Sequence, residues 1–325
     1  MPRIAIIGAG AWGTALALQA ARAGCAVVLW ARDPGRAAAM QAARENTRHL
    51  PGTPLDPAIA VTADAGALEG ADFALLAVPT QHIRPLLARL PEALPPLILA
   101  AKGVEQGSLR LPLELLEEIR PSHPAAILSG PNFAHEVAAG LPTAAVLASR
   151  DPALRESAAA HLATPGFRLY GSDDPLGVQV GGAAKNVIAI AAGAVIGAGL
   201  GENARAALIT RGLAELSRLV TALGGRAETA AGLSGLGDLL LTATGPSSRN
   251  TALGLALGRG QTLAEALAGK TSVAEGAATA PALLARATAA GVELPICAAV
   301  TALLAGEATV AEAMAQLLAR PRRDE

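Results

Sequence analysis

The sequence of 325 residues predicts an α/β protein in which a mostly parallel sheet covered by helices is followed by an all-helical domain. In the first half, short continuous apolar runs alternate with helical patterns, which is typical of strands buried on both faces. After Gly171–Pro175, a polar stretch with glycine and proline, we find no convincing strand. We therefore expect two domains, residues 1–174 and residues 175–325.

The elements of the first domain follow from its apolar runs. Arg3–Ile7 reads as a strand, Ala11–Ala23 as a helix and Ala26–Trp30 as a second strand, and another helix begins near Pro34. The later strand candidates are equally short and apolar, and helical segments separate most of them. They are Ile59–Thr62, Phe73–Val78, Leu97–Ala101, Ala126–Ser129, Thr143–Ala148 and Phe167–Tyr170.

Composition excludes several classes of function. Hydrophobic residues make up 52% of the chain and charged residues 16%, as in a well-buried globular protein. A net charge of −1 and only 2% aromatic residues argue against nucleic-acid binding, which needs a basic surface and stacking platforms. The apolar run Val187–Gly201 is shorter than the roughly 20 residues of a membrane span, so we interpret it as a core helix.

Cysteine usage and the first residues of the chain indicate the compartment. Cys25 and Cys297 are too few for a disulfide framework and are expected to be small core residues. A strand begins directly after Met1 and Pro2, which leaves no room for a secretory signal. We expect a cytoplasmic protein.

A glycine-rich fingerprint, Gly8-Ala-Gly10-Ala-Trp-Gly13, lies between the first strand and the first helix. This spacing in this context is typical of Rossmann dinucleotide sites. Gly8 permits the turn, Gly10 lets the backbone approach a pyrophosphate and Gly13 lets the helix pack on the strand. Ala11 and Trp12 then open the helix whose N-terminus faces the anion. A purely structural turn is the alternative, but the context favours NAD or NADP binding.

The end of the second strand indicates which nicotinamide cofactor is used. An acidic side chain there holds a free ribose 2′-hydroxyl, whereas an arginine favours a 2′-phosphate. Asp33 precedes Pro34, a pattern typical of a helix cap, which leaves Arg32 as the expected cofactor contact. This favours NADPH; the alternative is that Arg32 is an ordinary exposed side chain.

Two lysines are candidates for the reaction. Lys185 stands at the rim of the apolar run, where burial makes its charge costly and its proton easier to give up, so it can exchange a proton with a substrate oxygen. Lys102 follows the strand Leu97–Ala101, and ligands of open parallel sheets bind outside the carboxyl ends of strands. Lys102 can neutralise a phosphate or polarise a carbonyl, with an ordinary surface lysine as the alternative.

Three further motifs carry polar groups that suit an anionic substrate. The backbone amides of Ser129–Asn132 follow a strand and can hold an anion, and Asp238 lies in an apolar setting that calls for a lysine partner. Ser247–Asn250 is dense in phosphate donors, although Ser247 or Ser248 can also cap a helix. His135-Glu136 lacks a second histidine at the spacing of a zinc protease, so no metal site is predicted.

Taken together, these motifs resemble the NAD(P)-dependent glycerol-3-phosphate dehydrogenase family, of the bacterial, soluble type. The resemblance covers almost the whole chain in order. The stretches that carry it are residues 8–15, 101–103, 129–134, 181–189, 203–212, 235–239, 248–250 and 273–276.

The resemblance implies a role for individual residues. Lys185 would be the general acid/base, oriented by Asp238, and Lys102 would contact both cofactor and substrate. The implied substrate contacts are Lys102, Gly130, Asn132, Asp238, Thr242, Ser248, Arg249 and Asn250. The implied cofactor contacts, besides the fingerprint, are Trp12, Arg32, Lys102, Ala134, Arg249, Val273 and Glu275. Asn132 departs from the Ser or Thr usual in bacterial members, but it can still hydrogen-bond the substrate.

The implied function is reversible reduction of dihydroxyacetone phosphate to sn-glycerol 3-phosphate by NAD(P)H, supplying glycerophospholipid synthesis. One alternative is a β-hydroxyacid dehydrogenase, but these enzymes place an asparagine a full turn after the lysine, whereas Asn186 adjoins Lys185. Another is a cofactor-sensing regulator without turnover, which would not need Lys102, Lys185, Asp238 and Arg249 together. The partner expected is a small phosphorylated triose, and a homodimer is one assembly that the sequence allows.

Overall fold

A computed structural model describes residues 1–245, 247–268 and 274–321 and divides the chain into two compact units. The first unit comprises Met1–Lys102 and Leu111–Val178, and the second comprises Gly103–Arg110 and Gln179–Glu325. Residues 103–110 thus group with the second unit although first-unit residues flank them. A boundary after Asp174 remains a prediction about where independently folding domains meet.

The first unit contains an eight-stranded sheet and a separate two-stranded hairpin. Its strands are β1 Arg3–Ile7, β2 Ala26–Trp30, β3 Glu45–Asn46, β4 Leu50–Pro54, β5 Ile59–Thr62, β6 Phe73–Leu76, β7 Leu97–Leu99, β8 Ala125–Ser129, β9 Thr143–Ala148 and β10 Phe167–Ser172. The large sheet has the order β10-β9-β8-β7-β6-β1-β2-β5, and β3 pairs with β4. All neighbours in the large sheet are parallel except β8 and β9.

The centre of the sheet is the most deeply buried part of this unit. Residues 4–7 of β1 and 74–76 of β6 are 0% exposed, because helices cover both faces. The predicted mostly parallel α/β architecture is confirmed. Strand β1 lies between β2 and β6. The chain runs outward from β1 to β2 and β5 and then crosses to β6 on the other side of β1, so a crevice opens at the carboxyl end of β1, where such folds bind ligands.

Two predicted strands are shorter than the sequence suggests. β6 ends at Leu76 instead of Val78, because Pro79, which has no N–H to give to a neighbouring strand, begins the next turn. β7 ends at Leu99 instead of Ala101. In both places the chain leaves the sheet at its carboxyl edge.

The helices of the first unit connect these strands. They are α1 Ala11–Arg22, α2 Pro34–Ala43, α3 Ile83–Leu87, α4 Pro112–Ile119, α5 Ala134–Ala138 and α6 Pro152–Leu162. The Asp33 side chain accepts the Arg36 N–H at 2.7 Å, and Pro34 is the first helical residue. The predicted cap on α2 is therefore confirmed.

The described part of the second unit is helical, without strands. Its helices are α7 Pro175–Gly197, which begins in the first unit, α8 Gly201–Ala222, α9 Ala227–Ala230, α10 Asp238–Thr244, α11 Arg249–Gly258, α12 Leu263–Leu267, α13 Glu275–Ala289, α14 Pro295–Ala305 and α15 Val310–Leu318. Among the described residues only α7 is long and apolar enough to cross a membrane, and 89% of its most apolar window is buried in the protein. This burial agrees with its interpretation as a core helix.

Helices α7 and α11 touch through glycines, which fixes the residues next to the contact. A Cβ on Gly193 would lie 2.2 Å from the Thr251 carbonyl oxygen, and one on Gly254 would lie 2.0 Å from that of Ile190. No other residue allows backbones to approach so closely. The contact sets the distance between Lys185–Asn186 on α7 and the first turn of α11.

Candidate active site

The glycine loop between β1 and α1 has the shape of a dinucleotide cradle. Gly8 has φ +113°, and a Cβ there would lie 2.7 Å from the Ala77 carbonyl oxygen. A Cβ on Gly13 would lie 1.8 Å from the carbonyl oxygen of Gly8, so this position also excludes any side chain. Gly10 has open space on its Cβ side, which is where a pyrophosphate needs to approach the backbone.

The first turn of α1 offers backbone donors to an anion. Its cap residue, Gly10, has no side chain to satisfy the N–H groups of the first turn. Ala11 and Trp12 are the first residues of the helix. Free amides and the positive end of the helix dipole together suit the pyrophosphate of NAD or NADP.

A cavity of about 730 Å³ extends from this loop along the carboxyl ends of β1, β2 and β6. This volume lies within the range of about 300–1,000 Å³ typical of small-molecule sites. Arg32 lines the cavity, as expected for a cofactor contact, and is exposed. The cavity wall also includes side chains that sequence reasoning missed, among them Arg36, Asn46 and Arg48.

Asn46 is the most deeply buried of the missed residues, at 0% exposure. Its Nδ2 donates to the Ala9 carbonyl oxygen at 3.0 Å and to Thr14 Oγ1 at 2.7 Å. Arg36 donates to the same Ala9 oxygen. The β3–β4 hairpin and α2 are thus joined to the centre of the glycine loop. An asparagine in a polar run shortly after α2 is the signal in the sequence that could have indicated this contact.

The first unit also brings together three residues that the resemblance implies as substrate contacts. Lys102 Nζ donates to the Gly130 carbonyl oxygen at 3.0 Å. Gly130 has φ +142°, and a Cβ there would lie 2.9 Å from the Ala145 Cα. Asn132 Nδ2 donates to Thr143 Oγ1 and to the Ala144 carbonyl oxygen, both at 2.9 Å.

One acceptor in this cluster has no partner. Asn132 Oδ1 is buried and receives no hydrogen bond in the described structure. A buried unsatisfied carbonyl is costly, so this atom suits a ligand that brings a hydroxyl or amide donor. Ala134, the first residue of α5, follows two positions later.

The second unit contains a buried polar cluster around Lys185. Lys185 Nζ donates to Asp238 Oδ1 at 2.9 Å and to Thr242 Oγ1 at 2.7 Å. Thr242 in turn donates to Asp238 Oδ1 at 3.3 Å. The three residues are 7%, 1% and 4% exposed. The lysine partner that the sequence demands for Asp238 is therefore present.

Glycines and a helical irregularity position this cluster. Leu233–Gly237 forms one turn of π-helix directly before Asp238 begins α10. A Cβ on Gly181 would lie 2.9 Å from the Ser234 carbonyl oxygen, so α7 lies directly against this turn. Lys185 is one helical turn beyond Gly181, and the close approach places its ammonium beside the start of α10.

A second chain of contacts joins α7, α11 and α13. Asn250 Nδ2 donates to Asn186 Oδ1 at 2.9 Å, and Asn250 Oδ1 accepts the Gly276 N–H at 3.0 Å. Sequence reasoning missed this role of Asn186, although its place next to Lys185 marks it. The contact also fixes the first turn of α13, which begins at Glu275. Val273 lies outside the described residues.

The start of α11 carries the proposed phosphate donors. The Ser248 side chain accepts the Thr251 N–H at 3.2 Å, so Ser248, and not Ser247, caps the helix. Arg249 is the first helical residue and is exposed, whereas Asn250 is buried. A guanidinium at a helix N-terminus, beside unpaired amides, suits a phosphate. The described residues contain no group of three His, Cys, Asp or Glu that could hold a metal.

The family models, relatives and solved structure described next, to which this chain is similar, all carry the name glycerol-3-phosphate dehydrogenase. Residues 3–155 match the model of the NAD-dependent glycerol-3-phosphate dehydrogenase N-terminus, and residues 174–315 match that of the C-terminus. A glycerol-3-phosphate dehydrogenase [NAD(P)+] of Methylobacterium radiotolerans is 55% identical over 267 residues, 81% of this chain and 80% of the relative. That of Acidiphilium cryptum is 58% identical over 206 residues, which is 63% of each chain. The crystal structure of glycerol-3-phosphate dehydrogenase from Coxiella burnetii superposes with a TM-score of 0.93 at 40% identity, covering 98% of this chain and 99% of that one.

Proposed function

Because the chain belongs to the NAD-dependent glycerol-3-phosphate dehydrogenase family, we propose that it catalyses the reversible reduction of dihydroxyacetone phosphate to sn-glycerol 3-phosphate with NAD(P)H. The observation that carries the chemistry is the buried cluster of Lys185, Asp238 and Thr242. The product would supply glycerophospholipid synthesis in the cytoplasm.

Lys185 supplies the proton of the reaction. When bound, NAD(P)H supplies the hydride that adds to the ketone carbon. As that carbon is reduced, negative charge develops on the carbonyl oxygen, and Lys185 Nζ transfers a proton to it. In the reverse direction the neutral amine takes the proton back from the hydroxyl.

Asp238 and Thr242 control the orientation of the lysine. Both accept hydrogen bonds from Nζ, at 2.9 and 2.7 Å, which holds the ammonium in one place. The Asp238 carboxylate also compensates a charge that burial would otherwise make costly. Because neither partner is exposed, water competes little for these contacts.

The phosphate of the substrate would be held at the start of α11. Arg249 supplies an exposed guanidinium, and Ser248 stands before it at the helix cap. One Nδ2 hydrogen of Asn250 goes to Asn186, and the other has no partner within the described chain. That hydrogen is therefore available to a phosphate oxygen.

The first unit would bind the cofactor and contribute further substrate contacts. The pyrophosphate would lie against Gly10 and the first turn of α1. Lys102 would add positive charge for cofactor and substrate, and Asn132 Oδ1 would accept a substrate hydroxyl. We also propose that NADPH is used at least as well as NADH, because Asp33 is occupied as a helix cap and Arg32 faces the cavity.

A spectrophotometric assay of NADPH and NADH oxidation tests this function. The wild type should oxidise the cofactor only when dihydroxyacetone phosphate is present. A β-hydroxyacid dehydrogenase would instead turn over β-hydroxyacids, and a cofactor-sensing regulator would bind NADPH without consuming it. Either of these results would contradict the proposed activity.

A further inference from the structure

The cavity beside the glycine loop carries more positive than negative side chains. Among the described residues that line it are four arginines, Arg32, Arg36, Arg48 and Arg89, and two carboxylates, Asp33 and Glu45. Both carboxylates already have backbone partners. Asp33 accepts the Arg36 N–H at 2.7 Å as the cap of α2, and Glu45 accepts the Gly52 N–H at 2.8 Å in the hairpin.

Two of these arginines, Arg36 and Arg48, lie close enough to repel each other. Burial is the main reason that the pKa of Arg36 is lowered, and the charge of Arg48 is the next. Both guanidiniums also lower the pKa of His49, again after burial. The Asp33 carboxylate acts in the opposite direction on Arg36, but it ranks after burial and Arg48 and leaves the pKa lowered. An anion bound between the two guanidiniums would relieve the remaining repulsion.

The two arginines also have unused donors. Arg36 donates to the Ala9 carbonyl oxygen and to Asn46 Oδ1, but its buried Nε has no hydrogen-bond partner. Arg48 is exposed and makes no hydrogen bond or ion pair to any described residue. A tetrahedral dianion has several acceptor oxygens, so it can accept N–H bonds from both side chains.

We propose that Arg36 and Arg48 form the binding site for the 2′-phosphate of NADPH, with Arg32 at its exposed edge. The inference rests on the proposed function, in which the cofactor occupies this cavity. The pyrophosphate is already accounted for by Gly10 and the first turn of α1. The remaining positive charge lies beyond the end of β2, on the side where a Rossmann fold places the adenosine ribose.

The β3–β4 hairpin is what brings Arg48 to this place. Asn46 joins the hairpin to the Ala9 carbonyl oxygen and to Thr14. Arg48 follows two residues later, in the turn between β3 and β4. The hairpin therefore adds a cation that neither β2 nor α2 could supply.

The experiment compares two fragments of the cofactor that differ in the 2′-phosphate. Binding of adenosine 2′,5′-bisphosphate and of 5′-AMP is measured by isothermal titration calorimetry on wild type, Arg48→Gln and Arg150→Gln. Arg150 is a matched control, since it is exposed in the same unit and does not line the cavity. The wild type should bind the bisphosphate more tightly than AMP. Arg48→Gln should weaken bisphosphate binding roughly tenfold relative to AMP, as expected for one charge-assisted contact. Arg150→Gln should match the wild type.

Three results would overturn the inference. The first is an equal loss for both ligands, which would place Arg48 on the adenine or the 5′-phosphate. The second is that Arg48→Gln binds the bisphosphate as tightly as the wild type, while Arg32→Gln abolishes the preference for the bisphosphate over AMP. The third is a wild type that binds the bisphosphate no better than AMP. Arg48→Lys keeps the charge and should recover part of the preference, which separates a binding defect from a folding defect.

Failure of this inference can be told apart from failure of the proposed function. If the wild type reduces dihydroxyacetone phosphate with NADH but does not prefer the bisphosphate, only the 2′-phosphate site is wrong. If the wild type shows no turnover with either cofactor, the function is wrong, whereas the binding comparison still decides the role of Arg48.

Discussion

Lys185 Nζ lies 2.9 Å from Asp238 Oδ1, and the two side chains are 9% and 2% exposed. A buried ion pair of this kind contributes little net stability, because desolvation of both charges offsets their attraction. The role of this ion pair is to position the Lys185 side chain. The pair holds one ammonium in a fixed direction, which a proton donor for a single substrate oxygen requires.

Lys185→Ala should fold and bind cofactor but lose turnover by roughly two to four decades, the usual contribution of general acid/base catalysis. Thr242 remains in place but its hydroxyl is far too weak an acid to replace the ammonium. The measurement is kcat for dihydroxyacetone phosphate reduction, with NADPH binding followed separately by fluorescence. A variant with wild-type kcat would remove Lys185 from the mechanism.

The same substitution leaves Asp238 buried without its cation, which destabilises the fold by about 3–5 kcal/mol. A companion variant, Lys185→Met with Asp238→Asn, removes both charges and should recover most of the lost Tm. If the companion is as stable as the wild type and still inactive, the lost activity reflects chemistry and not unfolding.

The sequence predicts the large sheet well because its strands are continuous apolar runs. It does not reveal the β3–β4 hairpin, since Leu50–Pro54 contains two prolines and is mostly exposed. That hairpin is fixed by a contact of Asn46 with Ala9, 37 residues away, and no local pattern encodes such a contact. Nor does the pattern show that β9 runs antiparallel to β8, because strands buried on both faces look the same in either direction.

The candidate site, too, is predicted from the sequence only in part. Lys185 and Asp238 stand out in the sequence, because a charge beside a long apolar or glycine-rich run needs an explanation. Arg36 and Arg48 do not stand out among the many arginines of the chain. They can be recognised as candidate binding residues only in the structure, where α2 and the hairpin bring them to one cavity.

Arg249→Ala should raise KM for dihydroxyacetone phosphate about ten- to one-hundredfold, with a much smaller effect on cofactor binding. One charge-assisted hydrogen bond contributes about 1.5–3 kcal/mol. Phosphate-free dihydroxyacetone should be a very poor substrate of the wild type for the same reason. Comparable kcat/KM values with and without the phosphate would contradict this role.

Arg32→Ala should lower kcat/KM for NADPH several-fold and change that for NADH much less. Arg32 is exposed, so its attraction for a 2′-phosphate should weaken as salt rises. The check is the NADPH/NADH ratio of kcat/KM at low and high ionic strength. An equal loss with both cofactors would indicate stacking on the adenine instead of phosphate binding.

Glu215 connects α8 to the N-terminus of α14 and titrates near neutrality. Its Oε1 accepts the Ile296 N–H at 2.8 Å and its Oε2 the Cys297 N–H at 3.4 Å. Burial raises the pKa of Glu215 to about 7, although these two hydrogen bonds act in the opposite direction. The buried carboxylate in turn is the second cause, after burial, of the raised pKa of Cys297.

The pKa of Glu215 predicts how stability depends on pH. On Glu215 the folded protein keeps a proton that the unfolded chain releases near pH 4.5. The contribution of this protonation to the free energy of unfolding is therefore complete below pH 4.5 and is lost as pH rises through about 7. The shift corresponds to about 3 kcal/mol. Glu215→Gln keeps an acceptor for the Ile296 N–H and removes the titration. The free energy of unfolding of Glu215→Gln, measured by urea denaturation from pH 4.5 to 8, should therefore increase relative to that of the wild type as pH rises. The exposed Glu307→Gln provides the control and should follow the wild type. A constant difference between Glu215→Gln and wild type over this range would show that Glu215 does not change its charge near neutrality.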